Sequence, residues 1–366
     1  MLPARDRKLD PQSMDTAGDT SGQLEMILNG LVEGVVAVDH DERVIHLNSA
    51  AARLLGVRRA ESLGKQLSEL TSLSNLSSTV SRALATRCEA SSEAVIEMPA
   101  NERNRVLEFE ASPVRDSAGR VSGAVLSIHE ITELRHLEHV RQDFVANVSH
   151  ELKTPITAIR GLIETILSDR EMPDATRRRF LEKVHSQALR LSTLVTDLLT
   201  LARLESRDAI LEPVPFDLRD PIFTSIRASR TMEERTARIE HDLPETPVIV
   251  RGDPESLRLV ASNLLDNALK YTPAAGRIQV RLYSRGDQAV FEVEDNGIGI
   301  EAKDRQRIFE RFYRVDKARS RELGGTGLGL SIVKHVCLAH GGLVDVESTP
   351  GKGSLFRVTI PLAEFR

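Results

Sequence analysis

The sequence predicts a multidomain α+β protein in three structural parts. Three observations predict it. Short apolar runs punctuated by turn residues fill 23–132. A helical pattern broken only by Pro155, Gly161 and Pro173 dominates 133–210. Beyond 211, strands and helices alternate around a Gly-rich centre.

Composition narrows the function classes. With 40% apolar and 28% charged residues, the 366-residue chain has the make-up of a folded soluble protein with room for two or three cores. A net charge of -5 gives no reason to expect nucleic acid, and without Trp base-stacking platforms are not expected. No apolar run approaches the roughly 20 residues that span a bilayer, so a membrane anchor is expected to be absent from this chain. Met1–Gly22 is polar, lacks a signal-peptide core and reads as a disordered tail. Cys88 and Cys337 lie in unrelated segments, which disfavours a disulfide or zinc framework and fits a reducing cytoplasm. A reading frame starting upstream of Met1 would leave room for membrane association.

In the first part, Gly34–Asp39 and Arg43–Leu47 read as strands joined by His40-Asp41-Glu42. Asn48–Leu55 reads as a helix with a polar cap. Leu107–Val114 and Val121–Ile128 form a second hairpin across the Asp116–Gly119 turn. His46 and His129 are expected to be satisfied strand residues.

In the second part, Leu137, Val140, Phe144, Val148 and Leu152 recur at steps of three and four. After Met172-Pro173-Asp174, with Asp174 as the expected N-cap, a second helix carries Leu181, Val184, Ala188, Leu191, Val195, Leu198 and Ala202. That is a coiled-coil seam. Two helices alone cannot cover it, which predicts a dimeric four-helix bundle and hence a homodimer.

In the third part, Glu255–Tyr271 and Gly329–Gly341 read as helices. Arg277–Tyr283, Ala289–Glu294, Leu343–Ser348 and Ser354–Pro361 read as strands of an α/β sandwich. Asn263, Asn267 and Lys270 share one helix face, where amide oxygens can ligate Mg²⁺ and a lysine can meet phosphate. A polar outer face explains that segment equally well. Asp295-Asn296-Gly297-Ile298-Gly299 follows a strand, so a carboxylate stands beside glycines that admit a ligand, although Asp-Asn-Gly is also a common turn. Gly324-Gly325-Thr326-Gly327-Leu328-Gly329 opens a helix, as a phosphate cradle does. The glycines do not spell a dinucleotide fingerprint or a P-loop, and His150-Glu151-Leu152-Lys153-Thr154 lacks the second His of a zinc site.

These segments, with Phe144–Pro155 around His150 and Phe309-Glu310-Arg311-Phe312-Tyr313-Arg314, occur in the order of the phosphoacceptor, N, first Gly, F and second Gly boxes. Residues 133–366 thereby resemble the bacterial two-component sensor histidine kinases of the HisKA type, with a phosphoacceptor domain at 133–210 and a Bergerat-fold ATP-binding domain at 211–366. Residues 23–132 resemble a PAS sensor domain ending in Glu130-Ile131-Thr132. A flavin or haem in that domain is disfavoured. Cys88 lacks the flavin context, and 65–95 has no His.

The resemblance implies autophosphorylation of His150 from ATP, with Glu151 as general base, and transfer to an Asp on a separate response regulator. Thr154 would orient a water for dephosphorylating that regulator, and Pro155 would bend the helix. Asn267 would coordinate Mg²⁺ with Asn263 in the same polar shell. Lys270 and Arg314 would meet phosphates, Tyr271 would lie against the adenine, and Asp295 would accept from its amino group. Gly297 and Gly299 would let the base in. Gly325, Gly327 and Gly329 would close on the phosphates at the end of a lid over roughly 312–326. Phe309 and Phe312 are equally well explained as core packing. A non-catalytic dimeric pseudokinase scaffold is the alternative, disfavoured by the intact Asn267, Asp295 and glycines. Other Bergerat-fold ATPases are disfavoured by the hairpin bearing His150.

Overall fold

The computed structural model describes residues 23, 26–71, 73–96, 104–205, 213–230, 237–316 and 325–363. The expected tail at 1–22, the centre of the expected lid at 317–324 and the expected domain junction near 210 lie outside the described residues. The chain divides into two compact units, Met1–Gln142 and Asp143–Arg366.

The first unit is built on a five-stranded antiparallel sheet in the order β2-β1-β5-β4-β3. Its strands are β1 (Gly34–Asp39), β2 (Val44–Leu47), β3 (Ala90–Ile96), β4 (Arg105–Arg115) and β5 (Val121–Glu130). Helices α1 (Ser49–Leu55) and α2 (Ser74–Thr86) join it, with Leu47, Leu67, Leu76, Phe109, Leu126 and Ile128 fully buried in one core. The expected polar cap of α1 is Asn48. Its Oδ1 accepts from Val35 N at 2.9 Å and Ala51 N at 2.8 Å, while its amide donates to the carbonyls of Leu28 and Glu33. This completely buried side chain is therefore saturated. At the exit, Thr132 Oγ1 accepts from Val106 N at 3.0 Å, and Glu130 pairs with Arg105 at 2.6 Å. The expectation for the histidines is half right: His129 faces Glu33 at 3.8 Å, but His46 Nε2 is buried without a hydrogen-bond partner.

Helix α3 (Thr132–Ser168) carries His150 and runs through the buried Pro155 without interruption. Helix α4 (Asp174–Glu205) returns beside it. Asp174 is the first helical residue and not the N-cap. The Pro173 carbonyl accepts from Thr176 and Arg177, as an N-cap carbonyl does, while the Asp174 carboxylate accepts from the Arg177 guanidinium at 3.2 Å. Along the expected seam, Leu181 is 53% and Val195 43% exposed in this single chain. Leu194 and Leu201, outside that seam, are buried in the core of the following sheet. Among the described residues no helix is long and apolar enough to cross a membrane.

That sheet has the order β11-β12-β10-β9-β7, antiparallel except for the parallel β7–β9 pair. It is formed by β7 (Arg238–Asp242), β9 (Arg277–Arg285), β10 (Gln288–Asp295), β11 (Leu343–Thr349) and β12 (Gly353–Pro361). Strands β6 (Val214–Asp217) and β8 (Ile249–Gly252) pair separately. Helices α5 (Arg219–Arg230), α6 (Pro254–Tyr271) and α7 (Gly329–Ala339) share its core, where Leu264, Leu265, Ile332 and Val336 are fully buried with Val280 and Val293. Asp253 caps α6, its carboxylate accepting from the amides of Glu255 and Ser256. Elsewhere in this sheet Glu292, with a side chain 5% exposed, accepts from Arg281, Arg357 and Tyr283. Burial alone would raise its carboxyl, but Arg357 and Arg281 reverse that and hold it below the usual carboxylate range.

Candidate nucleotide site

The end of α6, the end of β10 and the start of α7 surround a cleft of about 220 Å³. Helix α6 turns Asn263, Asp266, Asn267 and Lys270 into it at steps of three, one and three, and ends there on Tyr271. Asn263 Nδ2 donates to Leu259 O at 3.0 Å, and its Oδ1 stands where a Cβ on Gly329 would come within 2.5 Å. A side chain at the first residue of α7 would therefore have to displace the Asn263 amide from the cleft wall.

Asp295 sits at the end of β10, 8% exposed. Its Oδ1 accepts from Gly297 N at 2.8 Å. Burial raises its carboxyl above the ordinary value, opposed by amide donation from Gly297 and Ser354. Gly297 does not line the cleft. It stands behind Asp295, where a side chain would run into the Tyr271 carbonyl. Gly299 does line it, with φ +69° and the Thr349 carbonyl in the space a Cβ would need.

The loop into α7 contributes Gly325, Thr326, Gly327 and Gly329. Gly327 O accepts from Phe312 N at 2.8 Å. Phe312 has φ +61°, a strained value for a bulky residue, and its ring lies 5.9 Å from that of Phe144 on α3. Phe309 and Phe312 both pack against the core, so the packing explanation holds for both.

Of the expected residues, Asn263, Asn267, Lys270, Tyr271, Asp295, Gly299, Arg314, Gly325, Gly327 and Gly329 line the cleft together. His150, Glu151 and Thr154 do not, but Glu151 touches its wall. Glu151 Oε2 accepts from Arg314 Nη2 and Arg190 Nη2, each at 3.1 Å. His150 is exposed, and Thr154 Oγ1 donates back to its carbonyl at 3.0 Å. Asp266, Thr193, Asp197 and Thr326 also line the cleft and were absent from the sequence expectations. Asp266 and Thr326 lie inside the N and second Gly boxes and were legible there. Thr193 and Asp197 carry no local signal, since they arrive from α4 through tertiary packing.

Among the described residues no three His, Cys, Asp or Glu side chains gather as a metal site. A cation carried on phosphates and completed by an amide oxygen needs no such cluster, and Asn267 in the cleft wall fits that arrangement.

Three family models match in order: a PAS fold over 28–136, a His Kinase A (phospho-acceptor) domain over 140–207, and a histidine kinase-, DNA gyrase B- and HSP90-like ATPase over 252–364. The phosphate regulon sensor protein PhoR of Pseudomonas aeruginosa is 36% identical over 344 residues, which are 92% of this chain and 75% of that protein. The chain belongs to the sensor histidine kinases. Sensor histidine kinase WalK of Bacillus subtilis is 31% identical over 360 residues, 98% of this chain, and the chain spans 58% of that relative's length. The solved structure of histidine kinase ThkA in complex with response regulator protein TrrA is matched over 92% of this chain and 98% of that one. Its TM-score of 0.50 at 22% identity speaks for the fold of this sensor kinase alone.

Asp295 yields a signed pH prediction for this histidine kinase. A carboxyl raised by burial favours folding while neutral, and that contribution is lost as pH rises through the folded value. The melting-temperature difference, Asp295→Asn minus wild type, should therefore grow from pH 4 to pH 8 in thermal melts. A flat or falling difference would show that Asp295 is not destabilised by burial.

Proposed function

We propose that the chain is an ATP-dependent protein-histidine kinase that phosphorylates His150 and passes the phosphoryl group to an Asp of a separate response regulator. The observation that carries the reading is the Glu151–Arg314 contact, which joins the helix of His150 to the wall of the candidate nucleotide cleft. One imidazole nitrogen of His150 forms the new P–N bond as the bridging P–O bond to ADP breaks. Glu151 takes the proton from the other nitrogen. Asp295 accepts from the adenine amino group, with Tyr271 against the ring, and Gly299 leaves space for the base, whereas Gly297, behind Asp295, lets the Tyr271 carbonyl approach and donates its amide to that carboxylate. Lys270, Arg314 and the amides of Gly325, Gly327 and Gly329 hold the phosphates. Asn267, with Asn263 beside it, holds Mg²⁺, which lowers the charge on the phosphates when bound. Thr154 orients a water for removing phosphate from the regulator. The phosphoacceptor hairpin takes 133–210 and the ATP-binding domain 211–366. Two copies pair as a four-helix bundle.

Purified protein with labelled ATP and Mg²⁺ should acquire an acid-labile, base-stable phosphoramidate. His150→Gln and Asn267→Asp should each lose at least about 99% of the label, the size expected when a nucleophile or a charge-stabilising group is removed. Acid-stable label, or label persisting in His150→Gln, contradicts the assignment.

Thr154→Ala should keep autophosphorylation and slow decay of a phosphorylated regulator by about tenfold or more, the low end for loss of a group that positions a reactant. Decay at the wild-type rate leaves Thr154 as a helix residue only.

The dimer follows from the exposed seam, where each buried apolar side chain contributes about 1.5–3 kcal/mol. Wild type should sediment as a dimer and Val195→Glu as a monomer with unchanged helicity. A wild-type monomer at micromolar concentration rules the bundle out.

A further inference from the structure

Helix α4 seats on the catalytic core through Leu194, Leu198 and Leu201, with Leu194 3% and Leu201 1% exposed. Asp197 falls in that apolar stripe, three residues after Leu194 and four before Leu201. A carboxylate placed there is unfavourable unless partnered. Its hydrogen-bond partner belongs to the cleft. Thr326 Oγ1 donates to Asp197 Oδ2 at 2.8 Å and also accepts from Leu328 N at 3.3 Å, so one hydroxyl joins the Gly-rich loop to α4. Lys270 favours the charged carboxylate from across the cleft. Burial, the largest influence, pushes the carboxyl above its ordinary value against the pull of Thr326 and Lys270. Asp197 and Thr193, one turn earlier, line the cleft themselves. A fixed negative group of the hairpin thus shares a lysine and a loop with the position proposed for polyphosphate.

We propose that Asp197 sets the nucleotide affinity of this cleft as an internal competitor of polyphosphate. It holds the Thr326 loop against α4 and shares the attraction of Lys270, and an incoming phosphate chain displaces it. Nucleotide binding and seating of the catalytic sheet on α4 therefore oppose one another, and by linkage each weakens the other by the same factor. The inference rests on the ATP reading above. A carboxylate that instead helped to hold the cation of a metal–nucleotide complex would have the opposite signature, a loss of affinity on neutralisation.

The test is calorimetric titration of the full chain, with Mg²⁺, by a non-hydrolysable ATP analogue, ADP and adenosine. Wild type is compared with Asp197→Asn, which keeps an acceptor for Thr326, and with Asp197→Ala. Both variants should bind the analogue about five- to tenfold more tightly than wild type, the low end of typical couplings between sites. The gain should be smaller for ADP and absent for adenosine. That grading with phosphate charge is what general loosening of the fold would not produce. If wild type binds the analogue and both variants bind it no more tightly, or if all three ligands gain alike, the competitor role is overturned while the ATP reading stands. If wild type binds neither analogue nor ADP, the ATP reading falls and the proposal with it.

Discussion

One carboxylate oxygen, Glu151 Oε2, links the phosphoacceptor helix to the catalytic core. It receives a guanidinium from α4, Arg190, and another from the cleft, Arg314, with side chains 15% and 6% exposed. At such depth the pairs are only weakly screened, and removing any one partner would strand charge in a poorly solvated place. Phe144 lies two turns before Glu151 on the same helix face, with its ring near Phe312 and the Arg311 guanidinium 5.3 Å from its centroid. Phe312 in turn gives its amide to Gly327. A path of direct contacts therefore runs from Phe144, on the helix of His150, through Phe312 into the Gly-rich loop.

Helix α4 has to satisfy two partners with one periodicity. Steps of three and four give a seam that stays on one side of the helix, and that side is left open at Leu181 and Val195. Leu194 and Leu201 lie beside the seam and are consumed by the catalytic core, with Leu198 packed against it too. A 32-residue helix with apolar residues on two sides cannot bury both within one hairpin. The catalytic sheet takes one side together with Leu198 of the seam, and the seam at Leu181 and Val195 is available for a second copy.

The cleft shows how close packing and chemistry restrict the same residues. Glycine at 299 is required by the Thr349 carbonyl and a left-handed φ, while at 329 a side chain would displace the Asn263 amide. These contacts bring backbone against backbone and leave the amides at the surface of the cleft, while Asp295 is buried at some electrostatic disadvantage beside them. A carboxylate held in an unfavourable environment by two amides fits a group retained for recognition more than for stability.

Much of this was legible in the residues themselves. Strand bounds for β1, β4, β5, β9, β10, β11 and β12 follow alternation and Gly or Asp turns to within about two residues, because those strands each have one face in a core. The N-box face follows from helical spacing. By contrast β6, β7 and β8 are four or five residues long, too short for a period to register. Asp174 as N-cap failed by one position, since the helix opens on it and its carboxylate pairs with Arg177 instead. By itself the sequence determined the residue types of the cleft and the helix bearing His150, since motif spacing and side-chain chemistry are local. Only the tertiary structure decided that Arg190 and Arg314 share Glu151, that Gly297 stands behind the cleft wall, and that Asp197 enters it. The Glu151 and Asp197 contacts depend on segments 39 to 163 residues apart meeting in space, and the Gly297 position on the end of another element at Tyr271, which no local periodicity encodes.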